Sequence, residues 1–270
     1  MTRIIQISDT HIVEPGKLAY GRVDTALALK RTIDYINNIL IQVGPIDAVV
    51  FTGDLTDSGH ENEYELFKTI LASLNRPYYA IPGNHDLREP FRKAFAETEW
   101  MPKLGPINWV LPFEDLVIIG LDCLVEGEPF GKLGQESFDF LHYQLNQFSQ
   151  EVIVVAVHHP PFQVGIQHMD IQRMMDPERE KLLRVLRRDQ RQVSIICGHL
   201  HRSIFSNVKG INCIVAPAPA HAVNLDLRPN GPAEYSFDPG GFLLHEVREN
   251  LVSQTVLTGP HGGPYPFFNF

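Results

Sequence analysis

Asp47-Ala48-Val49-Val50-Phe51-Thr52-Gly53-Asp54 runs from an unbroken apolar stretch straight into a glycine and a carboxylate. A strand that is apolar on successive residues is covered on both faces, the habit of strands inside layered α/β folds. The same shape recurs along the chain. Ile4-Ile5-Gln6-Ile7 leads into Ser8-Asp9-Thr10-His11, and Pro77 to Ile81 leads into Gly83-Asn84-His85-Asp86. Val152 to Val157 leads into His158-His159, and Val193 to Cys197 into Gly198-His199-Leu200-His201. Leu116 to Leu121 is a further apolar run. Helical spacing falls between these strands. Asp24 to Val43 sets Leu27, Thr32, Ile33, Ile36 and Leu40 on one side, and Glu61 to Leu74 turns Tyr64, Phe67, Leu71 and Leu74 inward. Gln135 to Phe148 and Pro177 to Arg188 read as two more helices. Strands alternating with helices predict a layered α/β fold. Ligands in such folds gather at the carboxyl ends of the strands, where every polar block lies.

Composition narrows the classes. With 270 residues, 44% of them hydrophobic and 20% charged, the chain can build a large core, and the composition argues against disorder. A net charge of −9 without a long basic run argues against a nucleic-acid polymer as partner. Cys123, Cys197 and Cys213 sit in or beside apolar runs with no CxxC pair, which predicts buried free thiols in a reducing compartment. The chain enters a strand at once, with no charged leader, and its apolar runs are too short to cross a bilayer. A cytoplasmic protein with no membrane partner is the expectation.

Residues 1–216 read as the core. Residues 217–240, rich in Pro, Gly and Asn, read as an irregular cap over the site. Residues 241–270 read as two closing strands, Gly241 to Val247 and Leu251 to Leu257, followed by an aromatic, proline-rich tail. Exposed aromatics in that tail would be costly alone, so packing on the cap or on another subunit is expected, and with it a homo-oligomer.

Each polar block offers oxygen or imidazole donors suited to divalent metals. Taken singly, Asp9-x-His11 also fits a loop-capping carboxylate beside a surface histidine, and Asp54 also fits a helix cap. Asn84 can offer a neutral amide oxygen, which leaves His85 as a proton donor or phosphate-binding group and Asp86 to orient that imidazole. Neighbouring side chains diverge, so His158 faces the site and His159 lies behind it. The mixed Asp, Asn and His set suits Fe, Mn, Zn or Co. His168-Met169-Asp170 is a candidate for the substrate entrance, whereas Arg22, His60 and Arg202 are read as solvated.

The ordered set Asp9-x-His11, Gly53-Asp54, Gly83-Asn84-His85-Asp86, His158-His159 and Gly198-His199-x-His201 resembles the calcineurin-like metallophosphoesterase superfamily over residues 4–201. Within it, Ile7-Ser8-Asp9-Thr10-His11 and Ile81-Pro82-Gly83-Asn84-His85-Asp86 resemble bacterial class III cyclic nucleotide phosphodiesterases and related glycerophosphodiesterases. The resemblance implies a four-layer α/β/β/α sandwich around two divalent metal ions. One ion would be held by Asp9, His11, Asp54 and His201, and the other by Asp54, Asn84, His158 and His199. His85 would lie beside the substrate phosphate together with Asn84, and His221 in the cap matches a substrate-facing histidine. Two cations roughly 3.5–4 Å apart neutralise a phosphodiester and acidify a water for attack on phosphorus. A small phosphodiester is the expected partner, with cAMP or another 3',5'-cyclic nucleotide as first candidate and glycerophosphodiesters as the alternative. A non-catalytic scaffold of the same fold would have lost donors, and none is missing.

Overall fold

The computed structural model describes residues 1–259 and Tyr265. Its first half comprises β1 (Arg3–Ile7), α1 (Thr25–Val43), β2 (Ala48–Phe51), α2 (Glu61–Leu71), β3 (Tyr78–Ala80) and α3 (Arg88–Ala94). The second comprises β4 (Trp109–Pro112), β5 (Leu116–Gly120), α4 (Gln135–Gln147), β6 (Val152–Ala156), α5 (Gln167–Asp170), α6 (Glu178–Arg187), β7 (Gln192–Cys197), β8 (Ile204–Val208) and β9 (Ile211–Val215). There follow β10 (Ala222–Val223), β11 (Tyr235–Ser236), β12 (Gly241–Val247) and β13 (Leu251–Leu257).

One sheet has the order β13-β12-β1-β2-β3 and the other β4-β5-β6-β7-β9-β8. Strand alternation sends each sheet's side chains to two apolar layers. Ile5, Ile7, Val49 and Phe51 meet Leu29, Ile33, Tyr64, Phe67 and Phe91 of α1, α2 and α3. Ile4, Ala48 and Val50 turn the other way, onto Ile118, Val154, Ile196 and Ile214 of the second sheet. That sheet's far face carries Ile119, Val155 and Ile195 against Phe138, Leu141, Leu182 and Leu186 of α4 and α6. The result is the four-layer α/β/β/α sandwich, with both central sheets apolar on both faces.

Three expectations need correction. Leu27 is 40% exposed, because the buried stripe of α1 follows Leu29, Ile33 and Ile36, at i, i+4 and i+7, and Leu27 lies off that line. Leu74 is buried but lies beyond the end of α2. The stretch read as 217–240 is not wholly irregular, since β10 and β11 pair within it. The strand pattern missed β4, β8 and β9 and the helix α3. β12 pairs antiparallel with β1, so the closing strands extend the first sheet. Among the described residues no helix is long and apolar enough to cross a membrane. The tail from Pro260 onward, Tyr265 apart, lies outside the described residues.

Candidate metal centre

The parallel strands β1, β2, β6 and β7 all end on one rim, and the chain turns sharply as it leaves three of them. Asp9 (φ 55°), His11 (42°), Asp54 (51°), His199 (71°) and His201 (53°) all occupy the left-handed region. This conformation is costly for residues with a Cβ, and here it aims consecutive polar side chains at one point. Backbone hydrogen bonds stitch the turns together, from Asp9 N–H to Gly53 O (3.0 Å), from His11 N–H to Asp54 O (3.0 Å) and from Gly198 N–H to His158 O (3.0 Å). Gly198 must be glycine, because a Cβ there would lie 2.8 Å from Asp9 Oδ2, 3.0 Å from Thr52 O and nearer still to Ser8 Oγ.

Two donor groups result. In one, His158 Nδ1–H donates to Thr52 O (2.8 Å), which turns Nε2 toward Asp54 Oδ2 (3.2 Å) and Asn84 Oδ1 (3.2 Å). In the other, His11 and His201 bring their Nε2 atoms within 3.1 Å of each other, and His11 Nε2 stands 3.6 Å from the same Asp54 Oδ2. His201 Nε2 stands 3.5 Å from Asp9 Oδ1. Asp54 Oδ2 is thus common to both groups. His199 donates its backbone N–H to the Asp9 carboxylate (2.9 and 3.0 Å), while its own Nε2 is buried without a partner. Its ring lies 5.2 Å from that of His158.

The electrostatics follow from burial. It disfavours charge on His199, a tendency the His158 charge reinforces, and the group falls to about 3. Burial and the His11 charge likewise hold His201 well below the ordinary range. Against burial, Asp54 and Asp9 raise His158 to about 9. Asp54 resists its own burial because the His158 and His85 charges hold it well below the carboxylate range, while burial lifts Asp9 to about 6. Lone pairs that converge with too few protons to join them need positive charge among them, as does an orphaned buried imidazole nitrogen. The donor set therefore fits a pair of divalent cations. Combinations such as Asp9–His11–His201 and Asp9–Asp54–His158 bring their ligand atoms within 4.8 Å of one another.

His159 spends both ring nitrogens behind the site, Nε2 against Pro129 O (3.2 Å) and Nδ1 against Cys123 Sγ (3.3 Å), although its ring lies 4.6 Å from that of His199 and a ring nitrogen lies within 4.8 Å of those of His158 and His199. Burial drives the Cys123 thiol up to about 12, so it keeps its proton. Asp86 does not orient His85. It is buried, accepting from Gly83 N–H (2.9 Å), Leu55 N–H (3.2 Å) and Tyr64 O–H (2.8 Å), because those donors would otherwise be orphaned under the loop. Asp57 takes the role instead. Its carbonyl accepts from His85 Nδ1–H (2.7 Å), and its carboxylate holds His11 Nδ1 (3.1 Å). Sequence reasoning passed over Asp57, whose signal was its place three residues after Asp54 in the same turn.

Above the donors lies a cavity of about 390 Å³. His11, Asp54, Asn84, His85, His199 and His201 line its base. His221 lines it from the cap, with Nδ1 unpartnered and its ring 4.6 Å from that of His201. His168 and Met169 line it as anticipated, but Asp170 serves the loop, accepting from Val164 N–H (2.7 Å) and Gly165 N–H (3.0 Å). Arg202 is more than solvated. It ties the cap down by donating to Val223 O (2.9 Å) and pairing with Asp238 (2.8 Å).

A family model for calcineurin-like phosphoesterases matches residues 2–203, which covers every donor described. The chain belongs to that family. The phosphoesterase is 39% identical over 268 residues to a "probable glycerophosphodiester phosphodiesterase" of Arcobacter nitrofigilis, covering 98% of this chain and 97% of the relative. It is 32% identical to a "probable cyclic nucleotide phosphodiesterase" of Rhodopseudomonas palustris, covering 97% and 94%. A purple acid phosphatase from yellow lupin seeds shares the fold with a TM-score of 0.66 at 16% identity, over 95% of this chain and 51% of that one.

Proposed function

We propose that this phosphoesterase hydrolyses small phosphodiesters, with 3',5'-cyclic nucleotides, cAMP foremost, as the substrate class. The observation that carries the reading is the single Asp54 oxygen shared by two donor groups at the base of an open cavity. Asp9, His11, Asp54 and His201 would hold one divalent ion, and Asp54, Asn84, His158 and His199 the other, with Fe, Mn, Zn or Co suited to the mixed donors. When bound, such a pair neutralises phosphate charge and lowers the pKa of water into the neutral range. The chain's own residues do the rest. Asp57 O accepts from His85 Nδ1–H and leaves Nε2 free: in the neutral ring Nε2 accepts a proton, and in the imidazolium form it carries the proton that passes to the leaving oxygen. His221 and Asn84 flank the phosphate from the cap and from the base of the cavity. The net charge of −9 works against long polyanions. Buried free Cys123, Cys197 and Cys213 suit a reducing compartment.

The 39% identical relative supports a second reading, glycerophosphodiester hydrolysis. Turnover of cAMP, glycerophosphoethanolamine, a short oligonucleotide and bis(p-nitrophenyl) phosphate by the manganese- or iron-loaded protein decides between them. No turnover of any of the four ends the enzyme reading. Homo-oligomer formation is part of the proposal, and light scattering of the chain truncated after Thr258 should report a smaller assembly.

A further inference from the structure

Tyr20 is a large aromatic residue left 53% exposed on a tight turn, at φ 51°. The turn is closed by reciprocal backbone hydrogen bonds between Ala19 and Val23, 2.9 Å each. A tyrosine at positive φ is strained, and strain of this kind concentrates where a side chain is held for a ligand. The turn brings the Tyr20 ring parallel to that of Tyr235 on β11, centroids 5.0 Å apart and planes at 27°. It also sets Tyr20 edge-on to His221 at 5.4 Å. Both tyrosines line the same cavity as His11, His85 and His201. His221 meets both rings edge-on, but Tyr235 is half-buried with Phe237 also edge-on at 5.8 Å, whereas Tyr20 is the exposed ring, so the more open side of the stack is that of Tyr20.

We propose that the Tyr20–Tyr235 stack is the specificity wall of the site, and that the open Tyr20 face receives the nucleobase of the substrate. The wall rests on the cyclic-nucleotide reading and adds the residues that would enforce it. Two stacked rings suit a flat guest better than a compact cation, since a cage for an ammonium needs several faces turned to one point, and here one face of each ring is spent on the other. Stacking on an exposed aromatic accepts any base, because every base offers a π-face. Glu234, on the same wall, is an acceptor for exocyclic amino groups.

Binding of AMP and of glycerol 3-phosphate to the manganese-loaded protein tests the wall directly. Tyr20→Leu should weaken AMP by roughly thirtyfold, the middle of the range for one base stacked on one aromatic, and leave glycerol 3-phosphate within twofold. Tyr20→Phe, which keeps the ring and the fold, should bind AMP like the parent, and Tyr235→Leu should weaken AMP in the same direction. Equal weakening of both ligands by Tyr20→Leu, or no weakening of either, overturns the wall. A parent protein that binds AMP through Tyr20 and yet leaves cAMP intact overturns the substrate reading while the wall stands.

Discussion

Replacing Gly83 by alanine puts the convergence of the donors to a direct test. A methyl group on Gly83 would lie 2.8 Å from Asp54 Cγ, and closer still to Asp54 Oδ1 and to its backbone nitrogen. Ordinary contact begins at 3.4 Å, so Cγ must retreat by about 0.6 Å and Oδ1 by more. Neither side can give way cheaply. Gly83 N–H is pinned to Asp86 Oδ2 at 2.9 Å, and Asp54 Oδ1 accepts from His85 N–H at 2.8 Å. The displaced group is the carboxylate common to both donor sets, and misplacing such a group by about 1 Å costs on the order of 10²-fold in rate. Gly83→Ala is therefore expected to lose about 10²-fold in kcat/KM for bis(p-nitrophenyl) phosphate and to retain less metal by elemental analysis. Gly134→Ala is the control. A Cβ there meets nothing within 4 Å, and activity should stay within twofold. Full metal content and activity within threefold of the parent in Gly83→Ala would refute the idea that the Asp54 position governs the site.

Asp57→Ala removes the carboxylate behind His11 Nδ1, and loss of such a partner typically weakens metal binding about 10–100-fold; titration with manganese measures it, and an unchanged affinity refutes the orienting role. Phe67→Ala empties a fully buried position between α2 and the first sheet and should cost about 3–5 kcal/mol in urea unfolding with little change in KM; a loss below about 1 kcal/mol would mean that the layer is not close-packed. Burial holds His245 down at about 4, from an ordinary 6.5. The unfolded chain thus takes up a proton below pH 6.5 while the folded one does not until about 4, so this residue lowers stability as pH falls through that window, by about 3 kcal/mol in all. His245→Gln should flatten that part of the stability profile of the chelated protein, and an identical slope in both proteins speaks against a neutral buried imidazole.

What was legible in the sequence was whatever obeys a short-range period. Val49, Val50 and Phe51 announce a strand covered on both sides, and the layer they predict is the one found. The donors were legible because each follows directly on such a strand, so that placing the strand places the residue. Asp86 was given the role that Asp57 fills because both lie in turns, where a side chain's direction depends on dihedrals that spacing does not encode. The left-handed turns from Asp9 to His11 and at Asp54 swing the neighbouring loop until the Asp57 carbonyl, rather than the Asp86 carboxylate, meets His85. Tyr20 and Tyr235 meet across residues 20 and 235, and no local pattern carries that pairing. Strand β8 was missed for a different reason. At the edge of its sheet Ile204 to Val208 alternates half-buried and exposed residues, so it lacks the apolar run that revealed the central strands.

Backbone strain and the proposed metal donors coincide in this chain. Among the described non-glycine residues at positive φ are Asp9, His11, Asp54, His199 and His201, and the others are Tyr20, Lys209 and Asn230. Each left-handed residue costs about 1–2 kcal/mol, so the five donors together hold a sum comparable with the whole stability of an ordinary domain. A fold selected for stability alone would place glycine at these positions. The sandwich's three apolar layers offset the cost and leave the donors aimed. His201 allows that cost to be measured. His201→Ala and His201→Gly both delete the imidazole, but only glycine relieves φ 53°, so in the presence of chelator the glycine variant should be the more stable by about 1 kcal/mol. Glycine's freedom in the unfolded chain works the other way, which makes this a lower bound on the strain. In a chain of 270 residues the difference corresponds to a melting shift of about 2–4 °C. An alanine variant more stable than the glycine variant by the whole of glycine's unfolded-state cost, about 0.4–1 kcal/mol, would mean that the turn at His201 holds no strain, and its aim would then be owed to side-chain packing alone.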